Sequence, residues 1–194
     1  MSPKKPEEFE LMRAESRGKI LQSALTLFAN DGYHKTSMEK IAKNANVSKG
    51  LIYNYYKSKN DLLHSIIMLG FSHNERLITE IGKETSPKQQ LKLLINTIFD
   101  LFESQKEFYQ LYSSIIMQPL VLENSRDLLD QIYKSIFDTF EMIFTNLQYQ
   151  NPMIESKILG ATIDGVAVHY FFERANYPLV EVRNQLIQKY CEKA

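Results

Sequence analysis

The chain has 194 residues, of which 44% are hydrophobic and 24% charged, and its 23 basic side chains balance 23 acidic ones. This composition indicates a globular protein with a sizeable core, and the single cysteine, Cys191, excludes an internal disulfide framework. No apolar run approaches the ~18 residues that cross a bilayer, and the charged first segment lacks the apolar core of a signal peptide. We therefore expect a cytoplasmic protein with no membrane contact.

The two signs of charge are distributed unevenly along the chain. Residues 1–60 contain 11 Lys and Arg against 6 Asp and Glu, whereas residues 61–194 contain 12 against 17. A net charge of +5 in the first part suits a module that faces a polyanion such as nucleic acid. The asymmetry is a weak signal by itself, so the function has to be argued from the order of the elements.

Helical spacing of apolar residues recurs along the chain and alternating strand patterns are absent, which predicts an all-α fold. The first helix covers about residues 13–30, with Ile20, Ala24, Leu27 and Phe28 on its inner face. Gly32 can end this helix as a C-terminal cap. The residues before it, 1–12, are expected to form a flexible arm.

Two short helices follow. Thr36 with Glu39 three residues later forms a capping box and begins the second helix. Ser48 can cap a third helix that runs to about Tyr56. Two short helices joined by a tight turn and braced by longer ones predict a helix-turn-helix, whose second helix enters the major groove of DNA.

A second capping box, from Ser58 to Asp61, begins a fourth helix that reaches about Gly82. Prolines divide the rest of the chain, and the helices predicted there are about 87–105, 107–118, 123–149, 154–174 and 178–193. The predicted organisation has about nine helices: a flexible arm (1–12), a three-helix DNA-binding domain (13–60) and a larger helical domain (61–194) for ligand binding and dimerisation.

The third helix has two contrasting faces. At ~100° per residue, Ser48, Ile52 and Tyr56 fall close together and suit burial. The opposite arc is polar and aromatic, and we call it the reading surface: Lys49, Gly50, Tyr53 and Asn54. A lysine can bind phosphate or guanine, asparagine can pair with adenine, and a glycine lets the backbone approach a phosphate.

The run from Ile20 to Leu63 contains the motifs LF (27–28), GY (32–33), TS (36–37) and VSKG (47–50) in that order. With this pattern it resembles the DNA-binding domain of the TetR/AcrR family of transcriptional regulators. Two residues depart from the family pattern: Asn46 stands where a turn glycine is usual, and Tyr56 replaces a phenylalanine, so its hydroxyl needs a partner. The matching residues, seventeen in order, are Leu27, Phe28, Gly32, Tyr33, Thr36, Ser37, Ile41, Ala42, Val47, Ser48, Lys49, Gly50, Ile52, Tyr53, Tyr55, Ser58 and Lys59.

The resemblance implies a set of DNA contacts. Asn54 is added to these contacts because the spacing of ~100° per residue places it on the reading surface. Any one of these lysines taken alone is more often a solvated surface charge, so the prediction rests on the whole set. The predicted DNA-binding residues are Thr36, Ser37, Ser48, Lys49, Gly50, Tyr53, Asn54, Tyr55 and Lys59.

The helix predicted at 154–174 is apolar on nearly every side and carries small residues, as expected for a helix buried between partners. The resemblance implies a homodimer formed by the last two helices; the alternative is that both helices pack only within their own chain. The predicted dimer residues are Gly160, Ala161, Asp164, Gly165, Val168, Leu179, Val182 and Leu186.

Residues 99–149 hold ten of the chain's 22 Phe and Tyr. Such a core can be solid or can enclose an apolar ligand pocket, and the resemblance favours a pocket for a largely apolar small-molecule effector. The candidate lining residues are Tyr109, Tyr112, Met117 and Phe137.

These patterns favour a ligand-responsive transcriptional regulator that binds double-stranded DNA as a homodimer. The resemblance implies a repressor that its effector releases from a near-palindromic operator. The alternative is a helical dimeric interaction protein without specific DNA binding. Four scattered histidines and the absence of a phosphate-binding glycine loop or a Ser/His/Asp arrangement argue against an enzyme, a metal and a cofactor.

Overall fold

The structure is a computed structural model that describes residues 6–173 and 176–192, without the side chains of residues 6, 7, 9, 73–78 and 172. Over these residues the chain is all-α, as predicted. Ten α-helices and a π-helical turn follow in order: α1 (Pro6–Asp31), α2 (Met38–Asn44), α3 (Lys49–Tyr55), α4 (Lys59–Ile81), α5 (Pro87–Ser104), α6 (Lys106–Ile116), α7 (Pro119–Asn124), α8 (Arg126–Asn146), α9 (Pro152–Glu173), α10 (Leu179–Ile187) and the π turn (Gln188–Glu192).

Two details of the helix count differ from the prediction. Pro119 begins a separate short helix, α7, which the sequence analysis merged into loop and the start of the next helix. Pro119 takes the first helical position, where its missing N–H costs nothing. The last predicted helix, 178–193, is observed as α10 followed by the π turn. Residues 6–12 of the predicted arm belong to α1.

The chain forms two compact units. Unit 1 comprises residues 1–70 and 111–126, and unit 2 comprises residues 71–110 and 127–194. The segments 61–70 and 111–126 therefore cluster with the helix-turn-helix, although the sequence analysis places them in the second domain. That division by function, at residue 60, stays a prediction.

The core of unit 1 is built by the inner faces of its helices. Ile20, Ala24 and Phe28 of α1 are fully buried, as the helical spacing predicts. Ile41 of α2 and Ile52 of α3 are also fully buried. Burying an aliphatic or aromatic side chain of this size contributes about 1.5–3 kcal/mol, so this burial fixes the short helices, which are too short to be stable alone.

The ends of α1 and α2 depart in one respect from the prediction. Gly32 ends α1 with φ +86°, as expected for a left-handed cap. The N-cap of α2, however, is Ser37, whose hydroxyl oxygen accepts a hydrogen bond from the amide of Lys40 at 3.1 Å. Thr36 is not the N-cap, because its hydroxyl instead donates to the carbonyl of Gly32 at 2.9 Å.

Unit 2 has an aromatic and aliphatic core of its own. Phe99 of α5, Phe144 of α8 and Leu159 of α9 are fully buried. The ring centroids of Phe144 and Tyr190 lie 5.6 Å apart with the edge of one ring towards the other, which is a favoured aromatic geometry. Among the described residues, no helix has the length and apolarity that a membrane span requires.

Candidate functional site

The reading helix, α3, has the two faces that its sequence predicts. Ile52 is fully buried and Tyr56, its C-cap, is 2% exposed. Lys49, Gly50 and Asn54 are exposed, and Tyr53 is 46% exposed. The reading surface is thus open to a partner along the whole helix.

Ser48 lies on the solvent side rather than the predicted buried side. It is the N-cap of α3, so its backbone is extended (ψ 152°). The spacing of ~100° per residue, which holds within a helix, therefore does not apply to it. Its hydroxyl oxygen accepts a hydrogen bond from the amide of Leu51 at 3.1 Å. Ser48 therefore fixes the start of the reading helix next to Lys49 and Gly50.

The turn before α3 has the conformation expected of its sequence. Asn46 has φ +54°, in the left-handed region that asparagine tolerates better than most residues. The amide of Val47 donates to the carbonyl of Ala42 at 2.9 Å, which closes the turn after α2. The replacement of the usual glycine therefore leaves the angle between α2 and α3 well defined.

Thr36 occupies a position that differs from the predicted DNA contact. Its side chain is 2% exposed, and its hydroxyl donates to the carbonyls of Gly32 and Leu27. A hydroxyl held in this way secures the loop after α1 and is not presented to solvent. Ser37 beside it is exposed, so the polar side chain at the start of α2 is that of Ser37.

Lys59 also differs from its predicted role as a phosphate contact. Its ammonium group lies 4.4 Å from the centre of the Tyr33 ring, and desolvation by burial lowers its pKa. An ammonium has three N–H donors, and all three have acceptors within the protein. These are the backbone carbonyls of Tyr33 (2.8 Å), His34 (3.2 Å) and Thr36 (2.9 Å).

Lys49 keeps its charge available on the reading surface. Its ammonium group lies 3.7 Å from a carboxylate oxygen of Glu39, and both side chains are more than half exposed. Exposed pairs of this kind contribute ~0–1 kcal/mol. A phosphate can therefore displace Glu39 at little cost.

Tyr56 and Arg17 form a contact that the sequence analysis missed. The Nε–H of Arg17 donates to the Tyr56 hydroxyl at 3.3 Å, and the guanidinium lies 5.9 Å from the ring centre. The hydroxyl thus has the partner that the substitution of phenylalanine by tyrosine requires. The sequence signal for this contact is the position of Arg17 on α1, three residues before Ile20, which faces the core.

A second missed residue is Gln118, in the turn between α6 and α7. Its side-chain nitrogen donates to the carbonyl of Phe28 and its side-chain oxygen accepts from the amide of Tyr33, both at 2.8 Å. These contacts join the segment 111–126 to the end of α1 within unit 1. Nothing local in the sequence signals them, because they span 85 and 90 residues.

The predicted dimer residues divide between the surface and the core of unit 2. Gly160, Leu179 and Leu186 are buried within the chain, so their predicted place in an interface is corrected. Helix α9 is apolar on nearly every side, and this pattern does not indicate which side faces its own chain. The remaining predicted residues, exposed or half-buried, are Ala161, Asp164, Gly165, Val168 and Val182.

The exposed side of α9 carries an apolar stripe. Its members recur at alternating spacings of four and three residues, as in a helix–helix seam, and the backbone at Gly165 has open space where a Cβ would be. Desolvation raises the pKa of the Asp164 carboxyl beside this stripe. We call the following residues the α9 stripe: Ile154, Ile158, Ala161, Gly165 and Val168.

The four candidate ligand residues do not gather in one place within either unit. Tyr112 is buried in unit 1, where its ring packs over Gly70, and Met117 is 65% exposed in the same unit. Tyr109 and Phe137 belong to unit 2 and pack against its core. Burial raises the pKa of the Tyr109 hydroxyl to about 12.

Over the described parts of the chain, no group of three or more His, Cys, Asp or Glu is arranged to hold a metal ion. His169 and Glu173 pair at 3.3 Å, as their spacing suggests. Cys191 is buried and desolvation raises the pKa of its thiol. A high thiol pKa disfavours the reactive thiolate.

An exposed reading helix, fixed by a buried face and a closed turn, defines a DNA-binding protein of the helix-turn-helix class. Residues 20–66 match the family model described as bacterial regulatory proteins, tetR family. The chain is 30% identical over 152 residues to the HTH-type transcriptional regulator AcrR of Shigella flexneri, covering 77% of this chain and 69% of that protein. The chain belongs to the TetR family of transcriptional regulators.

Two further similarities extend over nearly the whole chain. It is 26% identical over 181 residues to the fatty acid metabolism regulator protein of Bacillus subtilis (strain 168), covering 87% of this chain and 90% of that protein. Its fold matches the crystal structure of the transcriptional regulator FadR from Bacillus subtilis in complex with stearoyl-CoA. The TM-score is 0.74 at 25% identity, over 89% of this chain and 96% of that one.

Proposed function

We propose that the protein is a cytoplasmic homodimeric repressor that binds a near-palindromic operator through α3 and is released by a largely apolar effector. The observation that carries the proposal is the exposed reading surface on a helix whose other face is buried. Ser37, Ser48 and Tyr55 flank it and complete the proposed interface. Thr36 and Lys59 are given positioning roles, because their polar groups are engaged within unit 1.

Each proposed contact has a chemical role. Lys49 supplies positive charge for a phosphate or for the acceptors of guanine, and Asn54 can make two hydrogen bonds to adenine. The hydroxyls of Ser37, Tyr53 and Tyr55 suit phosphate oxygens, which position a protein on the duplex. The charged contacts supply affinity, while Asn54 contributes sequence selectivity.

The proposed dimer forms through the α9 stripe. Two copies of this exposed apolar surface would be buried against each other in a two-fold symmetric pair. A symmetric dimer presents two reading helices to half-sites about 34–36 Å apart, which requires a near-palindromic operator. The replacement Ala161→Glu tests this interface: it should yield monomers by sedimentation while the circular dichroism spectrum stays native. Gln110→Glu, exposed on α6, is the control.

The proposed effector is an acyl-CoA thioester, in which the acyl chain is the apolar part and the coenzyme A part carries charged phosphates. The support is the similarity to a fatty acid metabolism regulator and to a FadR that binds stearoyl-CoA, together with the aromatic-rich helices of unit 2. An effector releases DNA only if it binds the DNA-incompetent conformation more tightly than the competent one. Helices α4 and α6 contribute residues to both units, so displacement of either helix by the effector reaches unit 1.

The test is fluorescence anisotropy of the full chain with DNA from immediately upstream of its own gene, at two salt concentrations, with unrelated DNA of equal length as control. Selective binding that weakens steeply with salt supports the proposal. Stearoyl-CoA should then release the DNA, whereas stearate and free coenzyme A should be weaker. An unchanged operator affinity in saturating stearoyl-CoA would exclude acyl-CoA as the releasing effector.

The second candidate is a dimeric interaction protein without specific DNA binding, and the exposed α9 stripe is the observation that favours it. Apolar helix pairing should be nearly independent of salt, unlike DNA binding. A stable dimer that binds neither DNA at low salt would therefore favour this candidate over the repressor.

A further inference from the structure

Arg17 lies at the carboxyl end of the reading helix and has no place in the predicted interface. Its partner, Tyr56, is the C-cap of α3 and is 2% exposed, so its ring is fixed by the core of unit 1. The Tyr56 hydroxyl accepts from Nε of Arg17 at 3.3 Å, and the guanidinium lies 5.9 Å from the ring centre. These two contacts hold one edge of the guanidinium against α3.

The rest of that guanidinium is available to a ligand. A guanidinium has five N–H donors, and the contact with Tyr56 uses the one on Nε. Arg17 is exposed, and within the described part of the chain no carboxylate forms an ion pair with it. Two other cations of unit 1 differ in this respect, because they are paired: Lys19 with Glu15 at 2.6 Å, and Lys40 with Asp31 at 2.9 Å.

The position at the end of α3 suits a phosphate. The seven residues of α3 span about 10 Å, and the major groove is ~12 Å wide, so a helix seated in it has a phosphate backbone near each end. Lys49 serves the amino end. At the other end Lys59 is engaged by backbone carbonyls of its own loop. Two exposed cations remain there, Lys57 just after the C-cap and Arg17, and Arg17 is the one that Tyr56 holds against α3.

We propose that Arg17 is a DNA phosphate contact, oriented for this purpose by the hydroxyl of Tyr56. The guanidinium presents a planar pair of donors that matches two phosphate oxygens. Because one edge is already held by Tyr56, less side-chain freedom is lost on binding than for an unrestrained arginine. The contact adds affinity and fixes the register of the reading helix without reading a base.

The proposal rests on the DNA binding described above, and the salt dependence of that binding tests it. Each neutralised phosphate contributes about 0.9 to the slope of log affinity against log salt. Arg17→Gln keeps a nitrogen donor for Tyr56 at the position of Nε but removes the guanidinium end and its charge. It should lower the slope by about 0.9 per bound protomer, and affinity at low salt should fall about tenfold per protomer.

Three variants separate a phosphate contact from a structural role. Arg17→Lys keeps the charge and should restore most of the slope. Tyr56→Phe should lower the affinity several-fold without changing the slope, since the charge remains. Lys19→Gln removes a charge from the same helix and should leave the slope within ~0.3 of the wild type, since its ammonium already faces Glu15.

The outcomes distinguish this proposal from the proposed function. If the wild-type protein binds its upstream DNA selectively and Arg17→Gln keeps the full slope, the phosphate contact is refuted while the repressor stands. Equal loss of slope in Arg17→Gln and Lys19→Gln also refutes it, because overall charge would explain both. If the wild-type protein binds neither DNA, both proposals fail together.

Discussion

Gln118 and Tyr33 lie 85 residues apart in the chain, and the side-chain oxygen of Gln118 accepts a hydrogen bond from the amide of Tyr33 at 2.8 Å. The side-chain nitrogen of Gln118 donates to the carbonyl of Phe28, also at 2.8 Å. The segment from Phe28 to Tyr33 contains the end of α1, where backbone groups lack helical partners. The Gln118 side chain therefore supplies the hydrogen-bond partners that the amide of Tyr33 and the carbonyl of Phe28 lack within the helix.

We expect Gln118→Ala to destabilise the protein by about 1–3 kcal/mol, since a donor and an acceptor of the backbone lose their partner. Thermal unfolding monitored by circular dichroism measures the change. Gln110→Ala, an exposed glutamine of α6, is the matched control and should change stability by less than ~0.5 kcal/mol. Equal melting temperatures for Gln118→Ala and the wild type would contradict this role of Gln118.

The second prediction concerns Lys59, whose three donors are engaged by the loop between α1 and α2. Lys59→Met keeps most of the aliphatic side chain and removes the ammonium. We expect it to weaken DNA binding by a similar factor at every salt concentration, because the loop is loosened but no phosphate contact is lost. Fluorescence anisotropy across a salt series measures both quantities. A slope lower by about 0.9 per protomer would instead restore the phosphate contact that the resemblance implies.

Lys59 and Arg17 show how far the sequence could predict the site. The predicted role of Lys59 came from the family resemblance, and helix periodicity, which depends on neighbours in the chain, assigned no role to Arg17. Whether a cation faces solvent or a carbonyl depends on residues 23–39 positions away. The burial of Ile52 and Tyr56 was therefore predicted correctly. The solvent-facing position of Ser48 and the side-chain contacts of Lys59 and Arg17 were not predicted.

The neighbouring hydroxyls of Thr36 and Ser37 make the same point at shorter range. Either residue can cap a helix, but the capping-box pattern favoured Thr36, because Glu39 lies three residues after it. Which of the two caps α2 depends on the carbonyl of Gly32. Gly32 adopts a left-handed conformation that turns the chain back, so its carbonyl accepts the hydrogen bond from the Thr36 hydroxyl, and Ser37 caps the helix. For α9 the sequence is limited in another way. A helix that is apolar on nearly every side is predicted to be buried, but its pattern does not indicate which side faces the core of its own chain.

The third prediction compares the two glycines of α9. A Cβ at Gly160 would lie 2.6 Å from a ring carbon of Phe137, whereas a Cβ at Gly165 meets nothing within 4 Å. Gly160→Ala should therefore destabilise the protein by about 1–3 kcal/mol through overpacking. Gly165→Ala should stabilise the folded chain by up to ~1 kcal/mol, since alanine favours a helix over glycine.

Chemical denaturation of both variants measures this difference. Each variant is the control for the other, because both replace a glycine of α9 by alanine. Equal stabilities for Gly160→Ala and Gly165→Ala would contradict the close packing of Phe137 on Gly160.

The last prediction concerns Asp164, which flanks the α9 stripe and whose carboxyl pKa is raised by desolvation. A raised pKa means that the folded chain binds the proton more tightly than the unfolded chain. Stability from this group is therefore highest when both states are protonated, below about pH 4. It declines as the pH rises from there through the raised pKa. Pairing of two stripes would desolvate the carboxylate further and raise its pKa again. The dimer should therefore weaken as the pH rises from the pKa in the folded monomer through the higher pKa in the dimer.

Asp164→Asn removes the charge and should give a dimer whose dissociation constant no longer depends on pH in this range. At neutral pH this dimer should be tighter than the wild type. Sedimentation equilibrium from pH 5 to pH 8 measures both effects, with the exposed Glu123→Gln of α7 as control. A wild-type dimer that tightens as the pH rises would place Asp164 outside the interface, or beside a cation of the partner chain. In either case the stripe would need a different register from the one proposed.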